Sequence, residues 1–110
     1  MEPFLLSGDA AMSTVNQAEV LGKLMDYGMA REAAQQTLEV LDLHSIPFDV
    51  NESLETASLR SATRSLGLSL GDRACLATAR LHQLSVLTAD QPWLALKGLL
   101  NLDIHLLRNR

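Results

Sequence analysis

The chain has 110 residues, 47% of them hydrophobic and 20% charged, with a formal net charge of −4. This is one domain's length with a globular composition, which excludes a disordered chain. The acidic balance advertises no bulk electrostatic grip on nucleic acid and weighs against a DNA-coating protein, although an acidic site can still take positive charge from bound metal ions.

Residues 1–10 read as weak helix or coil ending in the "SGD" turn, and "AMST" at 11–14 as a short strand. From Val15 the apolar residues fall at helical spacing (Val15, Ala18, Leu21, Leu24), with Ser13 or Thr14 as cap and Gly28 as stop. A second helix is expected from about Ala30 to Leu41, with Ala33, Ala34, Thr37, Leu38 and Leu41 inward. "HSIPF" at 44–48 reads as a strand whose proline marks an edge or an end. A long helix follows, with Asn51 as cap, Leu54, Ala57, Leu59 and Ala62 inward, and Gly67 as stop. "LSLGDRACLATARLHQL" gives a helix striped by Leu70, Ala74, Ala77 and Leu81, whose alanines allow close approach to a sheet. "SVLTA" at 85–89 is a strand covered on both faces, roughly 91–97 a short helix, and "LDIHLLR" at 102–108 a closing strand. Strands alternating with helices predict one α/β domain over 1–110, a three-layer α/β/α arrangement around a parallel sheet.

In such a sheet ligands gather at the carboxyl ends of the strands, where the following helices begin. Asp90 comes just after the strand at 85–88, Asp72 lies in the first turn of its helix, and Glu19 sits about one turn into the helix after 11–14. All three therefore belong to one edge. Carboxylates brought together repel, and a hard divalent cation, magnesium or manganese, removes the penalty. Taken singly, each acid has a plainer reading: Asp72 as a cap or first-turn acid, Asp90 as the cap of the next helix, Glu19 as an ordinary helix glutamate. Glu32, Glu39, Glu52 and Glu55 read as solvated faces, and His44, His82 and His105 share no metal-ligand spacing. Arg60, Arg64, Arg73 and Arg80 have two readings, phosphate contacts or a solvated helix face, and the second is the plainer for any one of them.

Cys75 in "ACLA" reads as a small buried hydrophobe; being the sole cysteine, it excludes an internal disulfide and suits a reducing compartment. "MEPFLL" has an acid where a secretory leader needs a positive region, and no apolar run is long enough to span a bilayer. A cytoplasmic protein without membrane association is expected.

"STVNQAEVLGKL" at 13–24, "LGLSLGDRACLATA" at 66–79 and "VLTADQPW" at 86–93 resemble PIN-domain ribonucleases of the VapC toxin type, and "LDIHLLR" resembles that family's last strand. The resemblance implies a Mg2+- or Mn2+-dependent endoribonuclease held inactive by an antitoxin protein, with RNA as substrate. It carries the family's acids onto Glu19, Asp72 and Asp90. Asp72 and Asp90 would hold the metal, with Glu19 as third ligand or water-orienting base. Thr88, Asn16 and Ser13 match supporting polar positions. The Leu- and Ala-rich helices at 15–41 would carry contacts to antitoxin or to a second copy. The alternative is a non-catalytic PIN-like module that binds an antitoxin or itself, or a fragment with no activity of its own.

The sequence departs from the family at its start. Family members open with a central strand ending in an aspartate, and neither Glu2 nor Asp9 matches it. The N-terminal central strand is thus expected to be missing and the metal site incomplete. Unpaired buried backbone groups cost roughly 1–3 kcal/mol each, against a total stability of about 5–15 kcal/mol. A shifted pairing or a homodimer or higher oligomer is the expected remedy.

Overall fold

The computed structural model describes residues 5–6, 11–88 and 91–106. The elements are β1 (Leu5–Leu6), β2 (Ala11–Ser13), α1 (Thr14–Asp26), α2 (Arg31–Val40), β3 (His44–Ile46), α3 (Val50–Thr63), α4 (Leu70–His82), β4 (Val86–Thr88), α5 (Leu96–Leu100) and β5 (Ile104–Leu106). Short 3-10 turns at Arg64–Leu66 and Gln91–Ala95 precede α4 and α5.

Among the described residues the sheet runs β3-β2-β1-β4-β5. β2 is parallel to β3, and β4 to β5. β1 is antiparallel to both of its neighbours, pairing Leu6 with Ala11 and with Val86, and Leu5 with Leu87. Two strands antiparallel to the same third strand run the same way. The four outer strands are therefore all parallel, and their carboxyl ends, Ser13, Ile46, Thr88 and Leu106, lie along one edge. The α/β architecture and the parallel strands are as expected. The reading of residues 1–10 as helix or coil fails at Leu5–Leu6, which form the two-residue strand at the sheet's centre. The central place is thus filled within the chain by a reversed pairing.

The core gathers on α4. Ala74 is buried, and Cys75, Leu76, Ala77 and Ala79 pack with Leu59, Val86, Trp93, Leu96, Leu100 and Ile104. A helix apolar on several faces is a buried helix, and small residues let its backbone come close to the sheet. Leu70 and Leu81, expected on this stripe, are instead exposed at the helix ends.

On α3 the expected inner face is displaced. Leu59 is buried, but Leu54 is 65% exposed and Ala57 and Ala62 face solvent. The buried face is Glu52, Thr56, Leu59 and Thr63. Glu52 was expected in solvent and is only 3% exposed. The reason is a pair of donors on α4: Thr78 Oγ1 donates to Glu52 Oε1 at 2.6 Å, and His82 Nε2 lies 3.0 Å from Oε2. The cap of α3 is Asp49, whose Oδ1 accepts from the Glu52 amide at 3.0 Å, and not Asn51.

α1 and α2 are the least covered helices. Ala34 is the buried residue of α2, Ala33, Thr37 and Leu41 are exposed, and Leu38 is half-buried. On α1 Val15, Leu21 and Leu24 are half-buried and Ala18 is exposed. Gly28, at φ 98°, turns the chain between them.

Candidate metal centre

Ser13 ends β2 and caps α1, its Oγ accepting from the Val15 amide at 3.2 Å. The cap fixes where the helix starts, and so which residues face α4. Asn16 and Glu19, three apart, share a face. Asn16 is 4% exposed although it is polar. Its Nδ2 donates to Glu19 Oε1 at 3.2 Å and, across 55 positions, to the carbonyl of Gly71 at 3.0 Å.

The Glu19 carboxylate lies against the first turn of α4. A Cβ built on Gly71 would fall on Glu19 Oε1, Oε2 and Cδ, closer than real Cβ contacts come. The other described glycines, Gly22, Gly28, Gly67 and Gly98, have open space at that position. Next along the chain, Asp72 forms a capping box with Ser69. The Asp72 amide donates to Ser69 Oγ at 3.1 Å and the Ser69 amide donates to Asp72 Oδ2 at 3.1 Å. The plainer reading of Asp72 as a first-turn cap is therefore true of one of its oxygens. Its other oxygen, Oδ1, is shut off from solvent with no hydrogen-bond partner among the described residues, and so is Asn16 Oδ1.

Cys75, one turn below Asp72, reports the same convergence. Burial, reinforced by the negative charges of Asp72 and then Glu19, pushes its thiol up to about 12. It is the inert buried thiol expected.

Two of the three expected acids, Glu19 and Asp72, are thus brought together with Asn16. Asp90, the third, lies outside the described residues. Thr88 is fully buried at the carboxyl end of β4, on the expected edge. Among the described residues no group of three or more His, Cys, Asp or Glu is placed to hold a metal ion. What is present is a set of hard oxygen donors, two carboxylates and an amide, with two buried acceptor oxygens lacking donors. That chemistry fits a divalent cation such as magnesium or manganese, which takes oxygen ligands and keeps part of its water shell. Asp72 also lines a cavity of about 260 Å³ together with Pro92, Trp93 and Leu96. The arginines remain scattered: Arg60, Arg64 and Arg80 are exposed, and Arg80 lies 3.5 Å from Glu55.

Gly71 was missed in the sequence. The available signal was a glycine inside a helix, which costs about 0.5–1 kcal/mol relative to alanine and calls for a close approach to explain it.

The family model of the PIN domain matches residues 2–99, and the chain belongs to that family. Three solved structures share the fold. A chain of the toxin-antitoxin complex from Klebsiella pneumoniae superposes with a TM-score of 0.65 at 24% identity, over 84% of this chain and 72% of that one. A chain of VapBC2 from Rickettsia felis, bound to a DNA fragment from its promoter, gives 0.70 at 19%, over 89% and 74%. A chain of FitAB bound to the IR36 DNA fragment gives 0.65 at 20%, over 93% and 78%. No curated protein matches. The expected resemblance to PIN domains is met by the family match, and the fold is shared with these three chains. Among the described residues no helix is long and apolar enough to cross a membrane.

Proposed function

We propose that this chain is the nuclease partner of a toxin–antitoxin pair, cleaving phosphodiester bonds in RNA with Mg2+ or Mn2+. The observation that carries the reading is the meeting of Glu19, Asn16 and Asp72 with buried, donor-less oxygens, in a chain of the PIN family. Asp72 and Glu19 would hold the cation together with Asp90. Bound there, it would activate water and neutralise charge on the phosphate. The chain's own contribution is to hold the carboxylates in place. Ser69 turns Oδ2 of Asp72 toward the backbone and leaves Oδ1 for the metal. Asn16 holds Glu19 against α4. Thr88 and Ser13 shape the strand ends beneath. The reaction would take place in the cytoplasm.

An antitoxin protein and a second copy of the chain are the proposed partners, the first suggested by the toxin-antitoxin complex from Klebsiella pneumoniae among the structural neighbours. The α1–α2 pair supports both, with Tyr27 at 88% and Val40 at 82% exposure. Beside these helices a groove of about 560 Å³ is lined by Leu21, Leu38 and Leu43 together with the polar Gln17, Gln35 and Glu39. The same surface supports the second reading, a non-catalytic module that binds through these helices.

The test is cleavage of RNA with Mn2+, with EDTA, and by Asp72→Asn and Asp90→Asn purified in parallel. Cleavage that needs metal and disappears in both variants is expected. No cleavage by folded wild type that still binds a partner through α1–α2 would favour the module. Cleavage unaffected by both substitutions would sink the nuclease reading.

A further inference from the structure

The orientation of the Asn16 amide is forced by its neighbours. Glu19 Oε1 and the Gly71 carbonyl are both acceptors with no proton to give, so the group facing them must be the NH2. Oδ1 then points the other way, into a place shut off from solvent where no described group donates to it. One side chain therefore does two things: it ties α1 to the first turn of α4 through the Gly71 carbonyl while holding Glu19 Oε1, and it carries a second, buried oxygen that no described group satisfies. Gly71 completes the arrangement, because the Glu19 carboxylate occupies the space a Cβ would need.

We propose that Asn16 and Gly71 form a seat that positions Glu19 for the cation, with Asn16 Oδ1 accepting from the cation's bound water. This rests on the metal-centre reading above. It adds two residues that act through Glu19 and through water, as groups behind the direct ligands do.

The seat can be broken without breaking the fold. In Gly71→Ala the new methyl displaces only the end of a flexible side chain, while alanine favours the helix. Its melting temperature should equal or exceed that of the wild type. Calorimetric titration with Mn2+ alone, without RNA, should nevertheless show affinity reduced about tenfold, within the roughly 10–100-fold range for supporting residues. Asn16→Ala removes the tether and the extra oxygen together and should lose at least as much. Shortening the acid in Gly71→Ala/Glu19→Asp, which makes room for the methyl, should restore part of the loss. Mn2+ binding unchanged in a folded Gly71→Ala protein would overturn the seat while leaving the metal centre standing. If wild type takes up no Mn2+ at all, the centre fails and the seat fails with it. If Asn16→Ala does not fold, Gly71→Ala alone decides.

Discussion

Glu52 and Asp72 sit in the first turns of successive helices, and both are placed by α4. Around Glu52 both oxygens have partners, Thr78 on one and His82 on the other, and the side chain is 4% exposed. Around Asp72 one oxygen is used by the capping box and the other is buried with no partner among the described residues. A buried carboxylate with donors ties the structure together. A buried acceptor without donors is a cost of roughly 1–3 kcal/mol unless something outside the chain completes it. The contrast separates an acid that holds α3 to α4 from an acid available to a cation.

The largest effect that would break this contrast is on activity. Asp72→Asn keeps an oxygen for the Ser69 amide, so stability should change by less than about 1 kcal/mol. Metal-dependent RNA cleavage should fall about 100-fold or more, since a ligand supporting several kcal/mol of charge stabilisation is removed. Thermal melts beside cleavage rates read both quantities. A large loss of stability with cleavage intact would place Asp72 with Glu52 as a structural acid.

Glu52→Ala should behave in the opposite way. It strands the buried Thr78 hydroxyl and leaves a cavity between α3 and α4, for a loss of about 2–3 kcal/mol in denaturant unfolding. Cleavage per folded molecule should be unchanged. A variant as stable as wild type would show that the Thr78 and His82 bonds contribute nothing net.

In the sequence these two acids stand apart, Asp72 at the ligand edge and Glu52 on a solvated face, and the second placement failed. Chain order and helix spacing placed strands at 11–14, 44–48, 85–89 and 102–108, each overlapping an observed one, and put Glu19 and Asp72 at one edge, because those follow from periodicity and from where helices must start. Glu52 was misread because its fate depends on Thr78 and His82, which lie 26 and 30 positions away. The inner face of α3 failed for the same reason: polar Thr56 and Thr63 are buried while Leu54 is not. Thr63 is accommodated by donating to the Leu59 carbonyl at 2.7 Å, a local bond that leaves no trace in hydropathy. The reversed strand Leu5–Leu6 was illegible because two residues have no period. Gly71 needed the position of Glu19 before its missing Cβ meant anything.

Cys75 supplies a smaller test on the Asp72 side. Its thiol is raised to about 12 by burial first and by Asp72 and Glu19 second. A folded-state value above the ordinary one favours the neutral thiol. The associated stability is complete below about pH 8.5, the unperturbed value, and declines as pH rises toward 12. At pH 8 alkylation should therefore follow unfolding, and native protein should resist the reagent. Rapid native-state modification would mean that the floor beneath Asp72 is open.

Asp103 completes the comparison as an acid with donors and no burial. The Ser85 hydroxyl donates to its Oδ2, and His105 Nε2 lies 3.1 Å from the same oxygen. The Ser85 bond first, then the His105 bond, hold its carboxyl below the usual value, although the side chain is exposed. A lowered folded-state value means that the fold favours the carboxylate. The contribution is complete above the unfolded value of about 3.9 and is lost as pH falls through the folded one. Asp103→Asn should therefore flatten the fall of melting temperature with pH on the acid side, below about pH 4. Around neutral pH it should act only weakly, through the contacts that join the approaches to β4 and β5. Because solvent screens the group, this should be the smallest of the four effects. Parallel acid-side curves for wild type and variant would show that hydrogen bonds to an exposed carboxylate add no measurable stability. The weight of Glu52 would then come from its burial together with its donors, not from the donors alone.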